Sequence, residues 1–187
     1  MPDLLISKPD ETEHAPYYSR YIDLVPDGDI LGTLAGQIGV TLTELRKVTD
    51  AQSLFRYEPG KWSVREVVGH LTDSERIFAY RALRFARNDH TKLPGFEQDD
   101  YIPAANFDLR PWVDLLDEFY AVRRSNVMMF RGLTEEAWMR RGIASDHEMS
   151  VRAAAYVIAG HERHHLGIIR DRYAIESKPE PAGGRPN

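Results

Sequence analysis

The stretch AAYVIAGHERHHLGIIRDRY, residues 154–173, decides the fold. Taken as a helix with about 3.6 residues per turn, it sets His161 and His165 one turn apart and about 40° apart around the axis. Two imidazoles in that relation can face one metal ion. Tyr156, Val157, Ile158, Leu166, Ile168 and Ile169 around them are apolar, so this helix face is expected to look into a core rather than into water. Ser150 stands where an N-cap belongs, and the helix is expected to end near Ile175.

Three more amphipathic helices are expected upstream. Ile30, Leu34, Ile38, Leu42 and Leu45, spaced by three and four residues, form the core stripe of a helix from Asp27 or Asp29 to about Val48. Ser63 and Glu66 give the S-x-x-E capping box of a second helix starting near Val64, with Val64, Val67, Val68, Leu71, Phe78 and Phe85 inward. His70 lies at the border of that stripe. A third is expected behind an Asp108 cap, with Pro111 in its first turn, Leu115, Phe119, Val122, Val127 and Phe130 inward, and Gly132 at its end. Thr134 caps a short extra turn, TEEAWMRR. β-Branched residues nowhere alternate between turn signals, so no strand is expected. The class is all-α, a four-helix bundle.

The remaining segments read as connections. Residues 1–26 carry Pro2, Pro9, Pro16 and Pro26 and are expected to form an arm without elements, pinned by Tyr17, Tyr18 and Tyr21. Residues 27–176 form the bundle domain, and 177–187, rich in Pro and Gly, a flexible tail. The 88–107 segment, NDHTKLPGFEQDDYIPAANF, breaks the helical pattern with two prolines and four acids. A connection that long is a candidate lid and equally a solvated crossover.

Composition narrows the chemistry. With 42% hydrophobic and 28% charged residues the chain is globular. A net charge of −5 with interspersed Lys and Arg argues against a nucleic-acid partner. No apolar run approaches the about 20 residues of a membrane span, and no leader pattern opens the chain, so no membrane partner is expected and the expected location is the cytoplasm. There is no Cys, so a metal site would use nitrogen and oxygen alone, and the chain carries no thiol nucleophile of its own.

Of the seven His, His14 lies in the arm and His90 and His147 in expected loops, and all three are expected in solvent. His70, His161 and His165 come from two helices that must share a core, the place where bundles hold metals. Three neutral imidazoles leave open positions on a divalent ion, as catalytic sites do. The other reading of these residues is a set of hydrogen-bonded core histidines. His164 points about 100° away from His165.

HERHH also fits H-E-x-x-H, the metallopeptidase signature with Glu162 as base. Its extended form fails, because Ile168 and Asp171 stand where Gly and His are required. A third acidic ligand would have to come from Glu176 or Glu180, in or near the tail. A di-iron carboxylate site would need a second Glu-x-x-His, and Glu11 with His14 in the arm is the only partner.

With these pieces laid out, KWSVREVVGHLTDSER (61–76), LPGFEQDDY (93–101) and EMSVRAAAYVIAGHERHHLGIIRDRY (148–173) together resemble the DinB-like superfamily. The last piece is similar to the pattern H-x-x-H-H-x-x-x-I. The resemblance runs from about Leu31 to Tyr173. It implies an up-down-down-up bundle with nickel or zinc on His70, His161 and His165. Because the superfamily includes metal-dependent transferases of thiols such as bacillithiol and mycothiol, it also implies transfer of a low-molecular-weight thiol to an electrophile in stress or detoxification. A non-catalytic stress protein that binds a metal or small ligand is the alternative. Asp73 and Glu162 become candidates to orient an imidazole, set against ordinary helix-surface charges. Residues 93–101 become the substrate mouth, and a homodimer becomes a partner to expect.

Overall fold

The computed structural model describes residues 5–173. The expected tail at 177–187, the helix end near Ile175, and Glu176 and Glu180 lie outside the described residues. In chain order the elements are α1 (Ser19–Ile22), α2 (Ile30–Leu45), α3 (Asp50–Ser53), α4 (Val64–Ala86), α5 (Gln98–Ala105), α6 (Trp112–Arg131), α7 (Glu135–Met139), β1 (Arg141–Ala144), β2 (His147–Ser150) and α8 (Val151–Arg172).

Two of the four long helices, α4 and α8, open on side-chain caps. At α4 the Ser63 hydroxyl accepts from the Glu66 backbone N–H at 3.1 Å, and the Glu66 carboxylate accepts from the Ser63 N–H at 2.8 Å. Two of the helix's orphan donors are thereby satisfied. Ser150 accepts from the Ala153 N–H at 3.0 Å and opens α8. Thr134 caps α7 in the same way.

Two apolar clusters fix the topology. One gathers Ile30 and Leu34 of α2, Phe78 to Ala86 of α4, Val127 and Phe130 of α6, and the first half of α8. The other gathers the opposite ends: Ile38 to Leu45, Val64 to Leu71, Trp112 to Phe119, and Ile169. Helices α2 and α8 therefore run one way and α4 and α6 the other, which is up-down-down-up. Helix α8 packs on α4, α2, α1 and α7. Enclosed on so many sides, it is buried from 151 to 162 at every residue except Arg152, as a helix apolar all round should be.

Several expectations from the sequence are corrected. Residues 141–150 form an antiparallel hairpin, with Arg141 opposite Ser150 and Ala144 opposite His147. Its four-residue strands are too short to display alternation, and Ser145 and Asp146 take the positive φ (52° and 62°) that Asn-Gly usually signals. His147 is therefore on a strand, though exposed. Asp108 does not cap α6, which begins after Pro111; its carboxylate instead accepts from Ser63 at 2.5 Å and from Arg56 at 2.6 Å. The 88–107 segment contains α5 and is tied to the hairpin by a bridge between Leu93 and Ala144.

The arm is also more structured than its prolines suggest. Asp10 and Glu13 form a capping box over a 3-10 turn, and Pro16 opens another at a position where its missing N–H costs nothing. Ile6, Tyr21, Ile22 and Val25 are buried, and so are Glu13 and His14. His14 was expected in solvent; its Nδ1 sits 3.0 Å from the Ala15 carbonyl. Along α8 the arm is held by the Glu13–Arg152 ion pair, by the Tyr156 hydroxyl donating to the Ile6 carbonyl at 3.0 Å, and by close passage over Gly160. A Cβ on Gly160 would stand 1.9 Å from the Tyr21 carbonyl oxygen, so only glycine fits.

Candidate metal centre

Between the two apolar clusters lies a layer of buried polar side chains, with the histidines at one side of it. His70 comes from the second turn of α4, where Val67, Val68 and Leu71 turn it inward. His161 and His165 come from the middle of α8. Their Nε2 atoms converge: His70 to His161 is 3.0 Å and His165 to His161 is 3.0 Å. All three donor atoms lie within 4.8 Å of one another. His70 and His161 are buried and His165 is partly exposed.

Burial removes the protons. His70 is pushed down to about 4 by desolvation. His165 is pushed to about 3, first by desolvation and then by His70 and His164. His161 lies well below the ordinary imidazole value for the same first reason, with its three histidine neighbours adding to it. A neutral ring nitrogen carries either one N–H or one lone pair in its plane. His161 Nε2 cannot make two good hydrogen bonds to two other Nε2 atoms, so as a hydrogen-bonded core cluster the arrangement is frustrated. As a donor set it is coherent. Nitrogens about 2.1 Å from one tetrahedral or octahedral ion stand about 3.0–3.4 Å from each other, and imidazoles without thiolates suit zinc, nickel or copper.

The surroundings orient the rings. Trp62, not singled out from the sequence, lies 4.8 Å from the His70 ring and stacks on His165 at 6.5 Å with planes 16° apart. Its place directly ahead of the Ser63 cap was the available signal. Tyr21 meets His161 edge-on at 5.1 Å and His164 at 5.3 Å. His164 is thus an aromatic neighbour outside the converging set. Ser74 Oγ stands 3.4 Å from His70 Nδ1, at the outer limit of a hydrogen bond.

Neither acid proposed to orient an imidazole does so. Asp73 is half-buried and pairs with Arg76 at 3.3 Å; burial pushes its carboxyl up. Glu162 is no surface charge. It is 1% exposed and engages Arg123 and Gln37, each at 2.7 Å. Among the described residues no carboxylate joins the three imidazoles as a fourth ligand, and Glu162, the base of the H-E-x-x-H reading, is paired with Arg123 instead.

A cavity of about 340 Å³ opens onto His161. The arm supplies Tyr17, Tyr18 and Tyr21 to its wall, and the 88–107 segment supplies Phe96 and residues 97–99. Ser74 and Phe78 of α4 and Ser145 of the hairpin turn complete it. Of the 93–101 stretch, Phe96, Glu97, Gln98 and Asp99 stand in the cavity wall, alongside the tyrosines of the arm.

Comparison with known proteins agrees with this architecture. The sequence pattern of the DinB superfamily matches residues 34–169. OB0413 of Oceanobacillus iheyensis, named for an inferred metal-dependent hydrolase activity, is 27% identical over 142 residues, 74% of this chain and 78% of that protein. Among solved structures, YfiT of Bacillus subtilis, described as an inferred metal-dependent hydrolase with an unusual four-helix-bundle topology, matches with a TM-score of 0.64. The match covers 88% of this chain and 90% of that one at 19% identity, a likeness of fold. Since the matched residues hold all three histidines and most of the bundle, the chain belongs to the DinB superfamily.

Proposed function

We propose that His70, His161 and His165 hold a divalent cation, nickel or zinc, and that the protein is a metal-dependent enzyme transferring a low-molecular-weight thiol to a small electrophile. The observation that carries the metal is the convergence of three neutral imidazoles, with the Nε2 atoms of His70 and His165 each 3.0 Å from that of His161. When bound, the cation supplies Lewis acidity that lowers the pKa of a nucleophile in its open position. The names of OB0413 and YfiT favour water as that nucleophile.

The surroundings favour a thiol. Water activation gains from a positioned general base, and Asp73 and Glu162 are committed to Arg76 and Arg123. A thiol, with an ordinary pKa of about 8.5, gives up its proton far more readily and does not need that base. The chain's own residues orient the imidazoles through Trp62 and Tyr21, keep them unprotonated by burial, and narrow the approach to the cavity beside His161. In the transfer the sulfur forms the new bond to carbon, the leaving group departs with the bonding pair, and the thiol proton passes to solvent.

The test is a screen of small thiols against electrophiles with the metal-loaded wild type and His161→Ala. Turnover that needs the thiol and is lost in the variant supports the proposal. Ester or amide cleavage without thiol would make the protein a hydrolase. A loaded protein inactive with every substrate would favour the non-catalytic reading.

A further inference from the structure

The cavity beside His161 is backed, behind Phe78, Phe96 and Ser145, by a buried positive charge that has no carboxylate partner among the described residues. Arg81 of α4 is 1% exposed. One terminal nitrogen, Nη2, donates to the Pro94 carbonyl at 3.0 Å and to the Ser145 hydroxyl at 2.9 Å. The other, Nη1, is buried without a partner, and among the described residues no carboxylate pairs with the guanidinium. The Phe78 and Phe96 rings lie 5.3 and 5.7 Å from its central carbon. Phe78, Phe96 and Ser145 are all cavity wall, so the charge sits directly behind that wall.

Tying Pro94 to the hairpin turn does not require a charge. A neutral donor would do it with a smaller desolvation cost. The charge does change Ser145. A hydroxyl that accepts from a guanidinium keeps its own O–H to give, polarised toward an acceptor, and Ser145 gives it to nothing among the described residues. We propose that Ser145, backed by Arg81, receives an anionic end group of the substrate, of the carboxylate class. This rests on the reading of the cavity as the approach to the histidine site.

Geometry sets the spacing of such a substrate. His70, Ser74, Phe78 and Arg81 lie within about 80° on one face of α4, with Arg81 about 16 Å along the axis from His70. Side chains on a helix lean toward its N-terminus, and the longer Arg81 side chain reaches further that way than His70 does, so the anionic and reacting ends are separated by on the order of 10 Å. Glu97 and Asp99 also line the cavity, but both are exposed. Their charges are screened by water and salt, whereas Arg81 is not. They disfavour an anion that stops at the mouth.

Calorimetric titration of the full-length protein with octanoate, octanamide and octylamine tests the proposal. The wild type is expected to prefer octanoate over octanamide by about tenfold or more, with octylamine weaker than both. Ser145→Ala, which leaves the buried guanidinium in place, is expected to bring the preference below about threefold. Arg81→Gln should do the same, and Arg81→Lys should restore most of it. Equal binding of octanoate and octanamide, a preference for octylamine, or an undiminished preference in Ser145→Ala would overturn the proposal. The same titrations on His161→Ala separate the two readings: loss of metal with the octanoate preference intact leaves the anion site standing alone.

Discussion

Arg123 Nη1 lies 2.7 Å from Glu162 Oε2, both side chains are 1% exposed, and Glu162 directly follows His161 on α8. The same guanidinium grips both oxygens of Glu75 on α4, at 2.8 and 2.9 Å, and reaches the Leu34 carbonyl of α2 at 3.3 Å. One buried arginine on α6 thus bridges the two helices that carry the histidines and fixes their mutual rotation. Arg123→Leu would leave two carboxylates buried without a counter-charge, and is expected to cost about 3–5 kcal/mol in chemical denaturation. Metal affinity should fall as well, although Arg123 touches no imidazole. Glu162→Gln keeps shape and hydrogen bonds; it is expected to cost less and to retain the metal. Loss of metal in Glu162→Gln with stability intact would mean that Glu162 acts on the site directly.

Gly160→Ala tests how the arm is seated. The added Cβ meets the Tyr21 carbonyl rather than a flexible side chain, so the arm must shift. A loss of about 1–3 kcal/mol is expected, with faster metal release because Tyr21 no longer covers His161. Unchanged stability and release would show that the arm does not rest on α8 as described.

Glu13 makes that seating pH-dependent. Burial pushes its carboxyl up, but hydrogen bonds from Arg152 and the Asp10 N–H, with the charge of Arg152, outweigh this and hold it below the ordinary 4.5. Arg141 of β1 faces it at 4.0 Å. Because the folded value is the lower one, the contribution is complete above about 4.5 and is lost as pH falls through the folded value. Hydrogen-exchange protection of residues 6–22, corrected for intrinsic rates, should drop in that window in the wild type. Glu13→Gln should show weaker protection at neutral pH and no further loss there. Equal profiles would contradict the assignment.

Metal and fold should be coupled. With zinc or nickel at about one hundred times Kd, stability is expected to rise by about 2.7 kcal/mol, a shift of about 5–10 °C in melting temperature for a chain of this size. A chelator should reverse it. His70→Ala should show no shift, and an equal shift in that variant would place the metal elsewhere.

Whether a feature was legible in the sequence followed the range of the interactions behind it. The helix stripes, the caps at Ser63, Thr134 and Ser150, and the spacing of His161 and His165 are local and could be read. The antiparallel hairpin could not, because its strands span four residues each and its turn uses Ser145 and Asp146. The roles of Asp108, Arg123 and Glu162 depend on partners about 40 or more residues away; in the sequence Asp108 reads as a cap, Glu162 as a surface charge or an acid beside the histidines, and nothing local marks Arg123. His14 and Trp62 escape a sequence reading for the same reason: the contacts that bury the one and half-cover the other are tertiary.

His70, His161 and His165, and not His164 beside them, are proposed to form the metal site. Metal bound per chain after loading with zinc or nickel and exhaustive dialysis measures it directly. About one equivalent is expected in the wild type and in His164→Ala, and less than about a tenth in His70→Ala, His161→Ala and His165→Ala. Equal losses in His164→Ala and His165→Ala, or no bound metal in the wild type, would contradict it.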